Sequence, residues 1–225
     1  MSTKIGLISD THSTLAPLQE ALAIFKREQV DIIICAGDIA GYGEQKIEHD
    51  VEPLIDLLEE HDCLMVSGNH DHWSEEDHPN QNKERLETFF DALPSHLEIN
   101  IEGQRIYVVH SSPPDEEHGG IKLLDPEGEV YQDRKASWTS ELKDLNADIL
   151  IVGHTHQILC EQLGDILLIN PGSTVFNHNC SILSLPDMQV EHFALSNKEP
   201  IKVWNWGMLF HAKKRPINGA FFKQL

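Results

Sequence analysis

Cys63-Leu64-Met65-Val66-Ser67-Gly68-Asn69-His70-Asp71-His72-Trp73 is the stretch around which the chain is organised. A short apolar run stops near a glycine, and three polar side chains follow at once. A strand that ends this abruptly delivers its next residues to the rim of a sheet, where ligands of α/β proteins bind. Asn69 offers a neutral carbonyl oxygen, His70 an imidazole that can carry a proton, and Asp71 a carboxylate able to orient it. Taken alone, the motif reads equally well as a polar turn. What decides the matter is that four other strand-like runs end in the same way.

Residues 4–9 lead into Asp10-Thr11-His12, and residues 31–35 stop at Gly37-Asp38. Residues 105–109 end in His110, and residues 148–152 in Gly153-His154-Thr155-His156. The runs 31–35 and 148–152 are almost continuously apolar, as in strands buried on both faces. Between them, Leu15, Leu18, Leu22 and Phe25 recur at helical spacing over residues 15–28, and Val51, Leu54, Ile55 and Leu58 mark a second helix. Further helices are expected over 83–93 and 137–145, and closely spaced strands over 166–170, 181–185 and 190–194. Residues 111–134, with Pro113-Pro114 and Gly119-Gly120, read as a long loop or flap, a kind of segment that often carries function. Strand–helix alternation followed by mostly strand predicts an α/β sandwich with a mixed sheet.

A chain of 225 residues is expected to form one main domain over 1–197, followed by a tail over 198–225. That tail is basic and aromatic: Lys202, Lys213, Lys214, Arg215 and Lys223 stand among Trp204, Trp206, Phe210, Phe221 and Phe222. Such a segment either folds back on its own domain or reaches across a homo-oligomer. The net charge of −20 argues against nucleic acid as a stable partner. No secretory signal and no bilayer-spanning apolar run is visible, so no membrane partner and a cytoplasmic location are expected. Cys35, Cys63, Cys160 and Cys180 lack metal-type spacing and are expected to be free thiols.

The strand ends together carry Asp10, His12, Asp38, Asn69, His110, His154 and His156. Each alone could be a capping carboxylate, a turn amide or a satisfied histidine. Jointly they form a mixed oxygen and nitrogen donor set without cysteine, which suits Mn²⁺, Fe, Co²⁺, Ni²⁺ or Zn²⁺ and not a structural zinc site. Seven donors exceed what one tetrahedral ion uses. Two cations roughly 3.5–4 Å apart, bridged by a carboxylate, would use them all.

In this order, Asp-x-His, Gly-Asp, Gly-Asn-His-Asp, a strand-end His and Gly-His-x-His resemble the calcineurin-like metallophosphoesterase superfamily over residues 4–173. The small single-domain bacterial and archaeal members are most similar, since a segment like Asn170-Pro171-Gly172-Ser173 also follows their last ligand motif. The resemblance implies a four-layer α/β/β/α sandwich with two mixed β-sheets. It implies two divalent metal ions, manganese first: Asp10, His12 and His156 on one, Asn69, His110 and His154 on the other, and Asp38 bridging both. His70 would stay off the metals and act on the substrate, with Asp71 orienting it. The implied activity is hydrolysis of a small phosphorylated substrate by a metal-activated hydroxide, with a proton given to the leaving group.

The departures bear on the substrate. Serine/threonine protein phosphatases follow Gly-Asp with an Asp-Arg pair that clamps phosphate; here Gly41-Tyr42 stands there. Those phosphatases also lack a second histidine like His156, which diester-cleaving relatives share, so a phosphodiesterase is preferred over a phosphomonoesterase or protein phosphatase. Relatives often carry an arginine after the Pro-Gly-Ser segment, where this chain has Val175-Phe176-Asn177-His178, with His178 expected at the surface. A non-catalytic scaffold of the same fold would show broken ligands or a replaced His70, and none is broken. A metallo-β-lactamase-like hydrolase would need a compact His-x-His-x-Asp-His run, which the sequence lacks.

Overall fold

The structure, a computed structural model, describes residues 2–41, 50–73, 81–114, 116, 118–204 and, by backbone, 222–223. Tyr42 and most of the basic aromatic tail, including Trp206, Phe210, Lys213, Lys214, Arg215 and Phe221, lie outside the described residues. Strands are β1 (Thr3–Ile8), β2 (Ile32–Cys35), β3 (Leu64–Met65), β4 (His96–Ile101), β5 (Gln104–Val109), β6 (Ile149–Ile151), β7 (Leu159–Leu163), β8 (Ile166–Asn170), β9 (Asn179–Leu185), β10 (Gln189–Ala194) and β11 (Phe222–Lys223). Helices are α1 (Leu15–Arg27), α2 (Glu52–Glu60), α3 (Lys83–Ala92) and α4 (Gln132–Glu141).

The strands form two mixed sheets, one in the order β11-β10-β9-β1-β2-β3 and one in the order β4-β5-β6-β8-β7. In the first, β1, β2 and β3 run parallel while β9 is antiparallel to β1. In the second, β5, β6 and β8 run parallel, with β4 and β7 antiparallel at the edges. Because successive strand residues face opposite sides, each central strand supplies two cores. On β1, Ile5 and Leu7 meet the inter-sheet core, whereas Ile8 joins the helical one. On β6, Ile149 and Ile151 face the other sheet, and Leu150 faces outward to a third cluster.

Three clusters therefore separate four layers. Phe25, Leu54, Leu58 and Phe90 from α1, α2 and α3 cover the first sheet. Leu142 and half-buried Trp138, around α4, cover the second, together with Ile121, Leu123 and Leu124. Those last three belong to the expected flap. They are buried, so this part of the flap is packed structure and not an open lid.

Three strands escaped the sequence reading: β4 and β7, the two edge strands of the second sheet, and β11, at one edge of the first. Edge strands carry polar residues on their open side, which dilutes the apolar run; β7 is Leu-Cys-Glu-Gln-Leu. Helix α4 is displaced from the expected 137–145 to Gln132–Glu141. It has no buried residue, so no apolar stripe marked its bounds.

Candidate metal centre

All seven expected ligands follow the carboxyl ends of parallel strands: β1, β2 and β3 in one sheet, β5 and β6 in the other. The chain leaves these strands in tight turns. Asp10, His12, Asp38, His154 and His156 all have positive φ, between 42° and 62°. Left-handed backbone costs a non-glycine residue of order 1–3 kcal/mol, so these side chains are held in place by their surroundings. The amides of Asp10 and His12 donate to the carbonyls of Gly37 and Asp38, at 2.9 and 3.1 Å, joining the β1 and β2 loops. Gly153 N donates to His110 O at 2.8 Å, joining the β5 and β6 loops.

Two donor groups result: Asp10, His12 and His156, and Asp38, His110 and His154. In the first, Nε2 of His156 lies 3.1 Å from Asp10 Oδ1 and 3.3 Å from His12 Nε2. In the second, His110 Nε2 is 3.2 Å from Asp38 Oδ2. Asn69 joins the second group, its Oδ1 lying 2.8 Å from His154 Nδ1 and 3.2 Å from His110 Nε2. All of the carboxylate and histidine donors except half-buried His154 are at most 2% exposed.

The donor sets fit divalent cations. Two imidazole nitrogens and a carboxylate oxygen converge within ligand reach, away from water, where isolated charges and lone pairs are costly. His110 Nδ1 lies 2.7 Å from the Ala36 carbonyl, which fixes that nitrogen as the N–H and turns Nε2 toward the site. Burial holds the His12 and His154 imidazoles well below their usual range, at about 4, so both are neutral and able to ligate. Burial alone would raise the Asp38 carboxyl and lower the His110 imidazole. Their attraction outweighs it, keeping Asp38 below the carboxylate range and moving His110 up to about 10. The Asp38 charge also reaches His12 of the first group.

His70 stands next to both groups without belonging to either. Its amide donates to Asp38 Oδ1 at 2.9 Å, and its ring meets His12 edge-on at 5.4 Å between centroids. Asp71 is buried beneath the loop. Its Oδ1 accepts from Ala40 N and its Oδ2 from Gly68 N, both at 2.8 Å, so it binds the loop carrying His70 to the loop carrying Asp38. Burial pushes its carboxyl up to about 7. Gly68 is required by close approach: a Cβ there would lie 2.2 Å from Asp38 Oδ1.

The structure adds residues to which the sequence assigned no role. Ser9 Oγ donates to Asp10 Oδ2 at 2.6 Å, and Ser173 Oγ donates to the Asp10 carbonyl at 2.7 Å. Asn170 Nδ2 donates to Gly153 O at 2.7 Å, and Asn177 Nδ2 to His156 O at 3.0 Å. Gln157 fastens the flap to the last ligand loop, its Oε1 accepting from Leu123 N and Leu124 N at 3.1 Å. The only sequence signal for these supports was the Asn170-Pro171-Gly172-Ser173 segment. His178, expected at the surface, is instead 5% exposed, and its carbonyl accepts from Leu195 N at 2.9 Å.

The chain belongs to the calcineurin-like phosphoesterase superfamily, whose domain profile matches residues 3–184, and it is a metal-dependent hydrolase of phosphate esters. Among similar proteins, phosphodiesterase MJ0936 of Methanocaldococcus jannaschii is 23% identical over 176 residues, covering 75% of this chain and 82% of its own. Phosphodiesterase YfcE of Escherichia coli K12 is 26% identical over 176 residues, covering 76% and 78%. The crystal structure of a metallophosphoesterase from Sphaerobacter thermophilus superposes with a TM-score of 0.66 at 22% identity, over 87% of this chain and 90% of that one. The fold is thus shared with that metallophosphoesterase structure.

Proposed function

We propose that this superfamily member is a manganese-dependent, cytoplasmic phosphodiesterase acting on a small phosphorylated substrate. What supports the diester preference is where the arginines near the motifs go. Arg105 sits near the start of β5, away from His110, and its Nε donates to Asp148 Oδ2 at 2.9 Å. Arg134 lies over the Tyr131 ring, 4.3 Å from its centroid, and bonds to Lys122 O. A phosphomonoester is a dianion and is generally held by a cationic clamp beyond the metals. A diester carries one charge less. The relatives MJ0936 and YfcE are also named phosphodiesterases. The oxygen and imidazole donors suit manganese, and four free cysteines accord with a reducing compartment.

Bound cations would supply Lewis acidity at the phosphoryl group and acidify water. Asp10, His12 and His156 would hold one of them, and Asn69, His110 and His154 the other, with Asp38 serving both. His70, carried on the loop that Asp71 fastens down, would pass a proton from an imidazole nitrogen to the leaving oxygen. No helix among the described residues is long and apolar enough to cross a membrane.

The test is the ratio of kcat/KM for a bis-aryl phosphate against the mono-aryl phosphate, at neutral pH with saturating Mn²⁺. The proposal expects a ratio above one. A ratio well below one at full metal occupancy would make the monoesterase reading the better one.

A further inference from the structure

We propose that Phe176 and Trp204 form an aromatic brace that positions the Asp10–His12–His156 subsite selectively. Phe176 is 1% exposed and touches two of that subsite's ligands. Its ring stacks on His156 at 5.1 Å and 24°, and tilts against His12 at 5.3 Å and 58°. Trp204 stacks on Phe176 in turn, at 5.4 Å and 21°.

Backbone pairing holds Trp204 in register with the ligand loop. Trp204 N donates to His156 O and Ile158 N to Lys202 O, both at 2.9 Å, and Gln157 bridges Val203 in antiparallel fashion. Asn177, next to Phe176, closes the arrangement: its Nδ2 donates to Ile201 O at 2.6 Å as well as to His156 O. The first residues of the expected tail are thereby built into the site's support.

A metal-binding imidazole is normally aimed by an acceptor on its second nitrogen. His110 has one in Ala36 O. His12 Nδ1 is buried with no hydrogen-bond partner among the described residues. The orientation of His12 is therefore set by packing, and Phe176 is a ring packed on it. The two subsites are held by different devices, so disturbing the brace should affect one alone.

The inference rests on the two-subsite reading, which titration of the wild-type protein tests separately. Isothermal titration of the metal-free chain with Mn²⁺ should resolve two binding steps, and His156→Ala identifies the step that belongs to the braced subsite. Trp204→Ala should weaken that step by about threefold to tenfold, in line with the loss of one aromatic stack, and leave the other within about twofold. Trp204→Phe, which keeps a ring, should restore it. Phe89→Leu, in the half-buried margin of the helical core, controls for general destabilisation and should leave both steps unchanged. If Trp204→Ala does not fold, Trp204→Leu against Trp204→Phe makes the same comparison. Equal weakening of both steps, or none, would overturn the brace alone. A wild type that binds a single Mn²⁺ would overturn the two-subsite reading and the brace with it.

Discussion

The amide of His154 donates to Oδ2 of Asp10, 3.1 Å away and 144 residues distant in sequence. Asp10 belongs to one donor group and His154 to the other, and they come from different sheets. One carboxylate therefore does three things: it offers a ligand oxygen, joins the sheets, and accepts from Ser9 Oγ at 2.6 Å. Asp10→Asn should then be destabilising even without metal, by about 1–3 kcal/mol, because charge-assisted bonds to a buried carboxylate are lost. Urea unfolding of the metal-free proteins measures it. A change within about 0.5 kcal/mol, as at an indifferent surface site, would show that this bond does not hold the sheets together.

The left-handed turns allow a comparison at a single position. His154 has φ 62°. In metal-free protein, His154→Gly should be more stable than His154→Ala by about 1 kcal/mol, the reverse of the usual order in regular structure. An alanine variant that matches or exceeds the glycine variant would mean the turn relaxes and stores no strain.

His70 lies beside both donor groups without belonging to either. His70→Ala should keep full metal content and lose about 10²–10⁴-fold in kcat on substrates with poor leaving groups. Activated aryl esters, which barely need the proton, should lose far less. Metal loss in this variant, measured by atomic emission, would make His70 a ligand.

Away from the site, His192 gives the protein a pH-dependent term. Burial, reinforced by the Lys202 charge, lowers its imidazole to about 4, while Nδ1 lies 2.9 Å from Ser181 Oγ on β9. A depressed folded value means that the unfolded chain takes the proton first as pH falls below 6.5. The stabilisation is complete above that pH and is lost progressively down to about 4. Relative to His192→Gln, the wild type should lose about 2 kcal/mol between pH 8 and pH 5. Parallel unfolding curves for the two proteins across this range would exclude the assignment.

The central strands and the ligands were legible because they depend on short-range signals. Continuous apolar runs such as Ile32-Ile33-Ile34-Cys35 announce buried strands, and a glycine with polar residues after each run announces the rim. The edges β4 and β7 were not legible, since half their residues face away from the core. Nor were the site's supports. Ser9, Gln157, Asn177 and Phe176 act through partners fixed only by tertiary contact, such as Asn177 with the carbonyls of His156 and Ile201. His178 was misplaced for the same reason: nothing local in its sequence signals the tertiary burial that leaves it 5% exposed.

The account turns on two cations held by named side chains, and anomalous diffraction from crystals of the Mn²⁺-reconstituted protein tests that most directly. Two peaks roughly 3.5–4 Å apart are expected. One should lie among Asp10, His12 and His156, the other among Asn69, His110 and His154, with Asp38 reaching both. A single peak, or peaks away from these residues, would contradict the account.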